Sequence, residues 1–90
     1  MGNLNYMQNE KEKNDKTITV NVNNNPVAFT EHKVAGLQIK EAAINQGVAI
    51  QLDFNLFEVK GGKLDPVPDD KIVSLHKGQE FRAVTPDDNS

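Results

Sequence analysis

The chain has 90 residues, contains no cysteine and carries a formal net charge of −3, with 13 acidic side chains against 10 basic ones. This length allows one small domain, and without cysteine its stability has to come from packing, because disulfides and cysteine-based metal sites are excluded. The lysines are scattered among the carboxylates, which is typical of a solvated surface and argues against a nucleic-acid partner, since phosphates select clustered basic side chains.

The first part of the chain predicts a leader followed by a hairpin. Residues 1–16 are strongly polar, and we expect a disordered leader because they lack the apolar area that would offset the entropy of ordering. The following residues alternate between apolar and polar side chains on both sides of the turn sequence NNNP, which predicts two antiparallel strands. The apolar members of this alternation are Ile18, Val20, Val22, Val27 and Phe29.

A short helix is predicted next, within VAGLQIKEAAINQG. Helix formers run from Leu37 to Ile44, and Gly47 suits the left-handed residue that commonly follows a helix. The helix is expected to bury the face that carries Ile39, Ala42 and Ala43.

The segment after the helix predicts a second hairpin. Even positions from Val48 to Leu56 are apolar, and the pattern then changes parity, so we place an extended crossing first and a strand at about residues 54–59. KGGK predicts a tight turn, and residues 64–67 predict a short return strand. Pro66 and Pro68 indicate that this strand lies at the edge of a sheet.

The last strand is predicted in QEFRAV, after a brief apolar segment at residues 72–75. Phe81 and Ala83 are expected on one face of this strand, and Arg82 and Val84 on the other. The order of hairpin, helix, mixed pair and final strand predicts an α+β fold of the β-grasp type, with a mixed sheet of four to five strands packed on one helix. The domain would span residues 17–84, and residues 85–90 would form a flexible tail.

Four stretches of this chain, covering about residues 16–90, resemble the bacterial multiubiquitin family: TITVNVN, VAGLQIKEAAI, LDFNLFEV and DDKIVSLHKGQEFRAV. The most specific piece is KIVSLHKGQEFRAVTPDD. The resemblance implies a single ubiquitin-like β-grasp domain that serves as a protein modifier. It also implies four kinds of partner, namely an activating enzyme, a conjugating enzyme, a processing peptidase and target proteins, and it suggests a role in antiviral defence.

This resemblance gives the tail a chemical role. A modifier contributes its C-terminal carboxylate, which an enzyme adenylates with ATP and passes on to a target. Ubiquitin ends in Gly-Gly, whereas this chain ends in Asp87, Asp88, Asn89 and Ser90, and its Gly61–Gly62 pair is predicted to be a turn. Either the activating enzyme has a wider, more basic channel that binds Asp87 and Asp88, or a peptidase trims the end. Our hypothesis combines both, with Ser90 removed and Asn89 acylating the target.

No catalytic or metal site is predicted elsewhere, so we do not expect an enzyme or a cofactor. Asp69–Asp70 is interpreted as a turn, and His32 and His76 as surface residues. Arg82 and Val84 are candidate partner-binding residues, although they could equally be ordinary exposed strand residues. The alternative function is a β-grasp interaction module that is never conjugated. A sulfur carrier would need a C-terminal glycine.

The expected location is the cytoplasm, with no membrane partner. The chain has no cysteine, no apolar run close to the length of a membrane span and no start typical of a signal peptide.

Overall fold

The structure is a computed structural model that describes residues 17–86. The predicted leader, residues 1–16, and the last four residues, 87–90, lie outside the described residues. The described part contains seven strands and one helix, which confirms the predicted α+β class. These elements are β1 (Ile18–Val22), β2 (Asn25–Phe29), β3 (Lys33–Ala35), α1 (Gly36–Asn45), β4 (Asn55–Lys60), β5 (Lys63–Pro66), β6 (Ile72–Ser74) and β7 (Glu80–Val84).

Five of the strands form one mixed sheet in the order β2-β1-β7-β4-β5. β1 pairs antiparallel with β2 and parallel with β7, while β4 pairs antiparallel with both β7 and β5. The last strand therefore lies in the middle of the sheet, directly beside the first. β3 and β6 form a separate two-stranded sheet, which the sequence did not predict as a pair.

Both predicted hairpins are confirmed, and each turns through two residues with positive φ. Asn23 and Asn24 have φ of 53° and 69°, and Gly61 and Gly62 have φ of 56° and 85°. A two-residue turn of type I′, whose twist matches that of the flanking strands, requires positive φ at both residues. Asparagine and glycine tolerate positive φ best. The Gly61–Gly62 pair is thus a turn between β4 and β5, as predicted.

The predicted helix is confirmed and is one residue longer at each end. Its C-terminus is closed by a Schellman motif, in which Gly47 has φ of 98° and donates its N–H to the carbonyl of Ile44 at 3.1 Å. Val48 donates to the carbonyl of Ala43 at 2.9 Å, and both of these residues are buried. This motif fixes the position of Gln46, the last residue before the glycine.

The helix begins at a glycine for a steric reason. Gly36 donates its N–H to the carbonyl of Lys71 at 3.0 Å, which ties the start of α1 to the segment after β5. A Cβ atom at Gly36 would lie 2.9 Å from the carbonyl oxygen of Val67 and closer still to that of Pro68. Only glycine allows this close approach of two backbones.

The core lies between α1 and one face of the five-stranded sheet, and the side chains with the least exposure are Val20, Val22, Val27, Ile39, Ala43 and Phe81. Val48 and Ile50 are buried as the alternating pattern predicts, but Leu52 is 46% exposed. Leu52 departs from the alternating pattern because the chain turns at residues 52–54, where the N–H of Phe54 bonds to the carbonyl of Gln51 at 3.1 Å.

Candidate interaction surface

The described residues contain no candidate metal site. Within residues 17–86, no group of three or more histidine, cysteine, aspartate or glutamate side chains is placed to hold a metal ion. His32 and His76 are exposed, as predicted. Asp69 and Asp70 lie in the exposed turn before β6, so the prediction of turn carboxylates is confirmed.

The predicted tail site cannot be placed in the fold. Asp87, Asp88, Asn89 and Ser90 lie outside the described residues, so their conjugation and processing roles stay predictions. The described chain ends at Pro86, shortly after β7.

Arg82 and Val84 lie on the face of the sheet opposite α1, which we call the outer face. Phe81 and Ala83 are buried, whereas Arg82 is exposed and Val84 half-buried, so the predicted alternation along β7 is confirmed. These two candidate residues thus share a surface on the middle strand of the sheet.

One half of the outer face is mostly apolar, and we call it the apolar half. Its apolar members come from β4, β5 and β7, namely Phe57, Val59, Leu64, Pro66 and Val84, and the register places Asn55 and Glu80 on the same face, opposite Val84 and Val59. On β1, the same face carries Thr19 and Asn21 instead. A contiguous group of partly exposed apolar side chains on so small a domain is typical of a protein-binding surface.

The sheet register brings Arg82 into the apolar half. Arg82 is directly opposite Phe57, which in turn is opposite Pro66. Of the carboxylates in residues 17–86, none forms an ion pair with the Arg82 guanidinium. The surface therefore combines apolar contact area with the Arg82 guanidinium, a combination that is frequent at binding hot spots.

Asn23 holds the end of β7 in place through two hydrogen bonds to one residue. The Ala83 N–H donates to Asn23 Oδ1 at 2.9 Å, and Asn23 Nδ2 donates to the Ala83 carbonyl at 3.2 Å. Regular pairing of β1 with β7 stops at Val22 and Phe81, so the Asn23 side chain extends it by a further step. Sequence reasoning identified Asn23 only as a turn residue.

Gln79 orders the segment that leads into β7. Only 6% of Gln79 is exposed, and its Oε1 accepts the His76 N–H at 3.0 Å. Its Nε2 donates to Glu58 Oε2 at 2.8 Å and to the Ser74 carbonyl at 3.3 Å. Asn23 and Gln79 therefore secure the strand that carries Arg82 and Val84 from both ends.

One lysine contradicts the prediction that the lysines form a solvated surface. Lys40 of α1 is only 4% exposed. Its Nζ donates to the carbonyls of Leu52 and Phe54 at 2.6 and 2.8 Å and lies 2.8 Å from Asp69 Oδ1. A buried ammonium group needs all its donors satisfied, and these three acceptors do so. Lys40 thereby joins the helix to the loop before β4 and to the turn before β6.

Similarity to known proteins does not indicate a function for this chain. No protein-family model, no curated protein and no solved structure matches the chain. In the described part, no helix has the length and apolar character needed to cross a membrane.

Proposed function

We propose that this protein is a ubiquitin-like modifier with a β-grasp fold that acts in the cytoplasm of a bacterial conjugation system. Its C-terminal carboxylate, intact or trimmed, would be adenylated with ATP and transferred to target proteins. The partners would be an activating enzyme, a conjugating enzyme and a processing peptidase. The apolar half of the outer face, with Arg82 and Val84, would serve as their docking surface.

The observation that carries this proposal is the position of β7. A hairpin, a helix crossing and a final strand inserted beside β1 and parallel to it make up the β-grasp arrangement, and the sheet order β2-β1-β7-β4-β5 is compatible with it. Because β7 is paired on both sides, the chain leaves the domain from a firmly held strand. Residues 85–90 in extended form would reach about 20 Å, which is enough to carry a carboxylate into an enzyme's active site.

The proposed chemistry needs no catalytic side chain from this chain. The C-terminal carboxylate attacks the α-phosphorus of ATP, forming an acyl adenylate and releasing pyrophosphate. An enzyme thiolate then displaces AMP to form a thioester. An amine or hydroxyl of the target finally attacks the acyl carbon and releases the thiol. The lack of any predicted nucleophile in this chain fits such a role.

Mass spectrometry of the C-terminal peptide tests the proposal. The chain would be recovered from cells that also express candidate activating, conjugating and peptidase enzymes. We expect the peptide beginning at Phe81 to be trimmed before Ser90 or joined to a foreign lysine, serine or other acceptor. A variant that ends at Pro86 is the matched control, because β7 is complete at Val84 and the four residues assigned to conjugation and processing are lost. An intact, unlinked peptide in the presence of active enzymes would contradict the proposal.

A second function, a β-grasp interaction module that is never conjugated, is favoured by the apolar half alone. That surface could bind a partner without any chemistry at the C-terminus. A tag fused after Ser90 separates the two functions. A modifier would lose the tag by processing or lose its activity, whereas an interaction module would keep both the tag and its partner.

A further inference from the structure

The free edge of β2 has one backbone N–H directed away from the sheet. In a two-residue hairpin the residues that flank the loop, here Val22 and Asn25, exchange hydrogen bonds, and the pairs then alternate along the strands. Pro26 and Ala28 therefore occupy positions whose own backbone N–H and C=O positions point away from β1. Proline has no N–H, so Ala28 supplies the outward donor of β2.

Gln46 occupies that donor and the carbonyl of the same residue. The Ala28 N–H donates to Gln46 Oε1 at 2.9 Å, and Gln46 Nε2 donates to the Ala28 carbonyl at 2.9 Å. The carboxamide thus makes the two bonds that the backbone of an adjoining strand would make. Since the Schellman motif at Gly47 fixes the backbone of Gln46, only the side-chain torsions of Gln46 have to be ordered for these two bonds to form.

We propose that Gln46 closes the β2 edge and prevents a second copy of this chain from pairing with it. An exposed edge strand with free N–H and C=O groups is a template for strand addition, and proteins block such edges in specific ways. At the opposite edge, β5 has only four residues and carries Pro66. Without Gln46, β2 would be the longer of the two edges, and Ala28 would present both its N–H and its C=O to an incoming strand. This inference does not rest on the proposed modifier function.

Amide hydrogen exchange measured by NMR tests the contact itself. In the native chain the Ala28 amide should be protected, although Ala28 is exposed and lies on an edge strand. In Gln46→Ala it should exchange about tenfold faster or more, because its acceptor is gone, while the Val27 amide, which faces β1, should not change. Asn45→Ala is the matched control, since Asn45 is the exposed preceding residue and its side chain has no partner among the hydrogen bonds of the described residues. An Ala28 amide that exchanges equally fast in the native chain and in Gln46→Ala would overturn the proposal.

Sedimentation at increasing concentration tests the consequence. We expect Gln46→Ala to self-associate at concentrations where the native chain and Asn45→Ala remain monomeric. Adding Ala28→Pro to Gln46→Ala should restore the monomer, because it removes the donor that an incoming strand requires. Gln46→Glu keeps an acceptor but loses the donor when ionised, so it should associate less than Gln46→Ala. A monomeric Gln46→Ala variant, or a double variant that still associates, would overturn the proposed role.

Discussion

Replacing Lys40 by methionine should destabilise the domain by about 2–4 kcal/mol. Methionine retains most of the apolar stem that packs against the core but cannot donate hydrogen bonds. Hydrogen bonds from a charged donor contribute about 1.5–3 kcal/mol each, and two are lost, to the carbonyls of Leu52 and Phe54. Rehydration of these carbonyls at the domain surface recovers part of that loss.

The carboxylate of Asp69 should contribute much less than the two carbonyls. Its side chain is 57% exposed, so water screens its attraction to the ammonium group and can replace the ammonium when it is removed. In Asp69→Asn the buried ammonium group keeps both carbonyl acceptors and can still donate to the new carboxamide oxygen, so only the attraction of an exposed charge is lost, about 1 kcal/mol or less. Asp69→Asn should therefore cost under about 1 kcal/mol, and the main effect in Lys40→Met is the loss of partners for two backbone carbonyls.

Urea unfolding followed by circular dichroism measures these differences. The urea midpoint should fall in Lys40→Met. The slope should not change, because the native chain and the variant expose about the same surface area on unfolding. Lys60→Met is the matched control, because the Lys60 side chain is 59% exposed and forms ion pairs of 3.9 and 3.5 Å with Glu58 and Asp65. It should change stability by no more than about 0.5 kcal/mol. If Lys40→Met is as stable as Lys60→Met, or if Asp69→Asn costs as much as Lys40→Met, the reasoning is refuted.

Three further predictions concern the backbone contacts and the outer face. Asn23→Ala should cost about 1–3 kcal/mol in thermal unfolding and raise exchange of the Ala83 amide, because that buried N–H loses its acceptor; unchanged exchange at Ala83 would exclude the contact. Gly36→Ala should cost about 1–3 kcal/mol in urea unfolding, because the new methyl group would meet the Pro68 carbonyl, and native stability would contradict this close approach. Arg82→Glu should leave stability within about 0.5 kcal/mol but weaken binding to an activating enzyme about tenfold or more by calorimetry. Equal affinity would remove Arg82 from the docking surface.

Local patterns in the sequence were sufficient for the hairpins, the helix and the faces of β7. Alternation at Val20 and Val22 and the turn chemistry at Gly61–Gly62 depend on neighbours along the chain, so they can be recognised without the fold. β3 and β6 were missed as a pair because each has three residues, too few to show a period, and their pairing joins distant segments.

The polar contacts that secure the surface were not predictable in the same way. The Asn23 side chain binds the backbone of Ala83, and the Gln46 side chain binds the backbone of Ala28. Every residue has a carbonyl group, so the residue type at the accepting position does not indicate such a contact. Lysine is a residue type that is usually exposed. Lys40 is buried because the loop before β4, which carries the carbonyl of Leu52, lies over it. Such contacts depend on tertiary structure, which alternation and turn propensities do not encode.

The parallel arrangement of β1 and β7 has a consequence for mechanical force. Tension applied between the start of β1 and the end of β7 would run along both strands, so their cross-links would be loaded in shear and would have to break together. These cross-links include the bonds from the Asn21 and Asn23 N–H groups to the carbonyls of Gln79 and Phe81, at 2.9 and 3.0 Å. The side-chain bonds of Asn23 to Ala83 would share the load. Such tension would therefore have to break these bonds together before β7 could separate from β1.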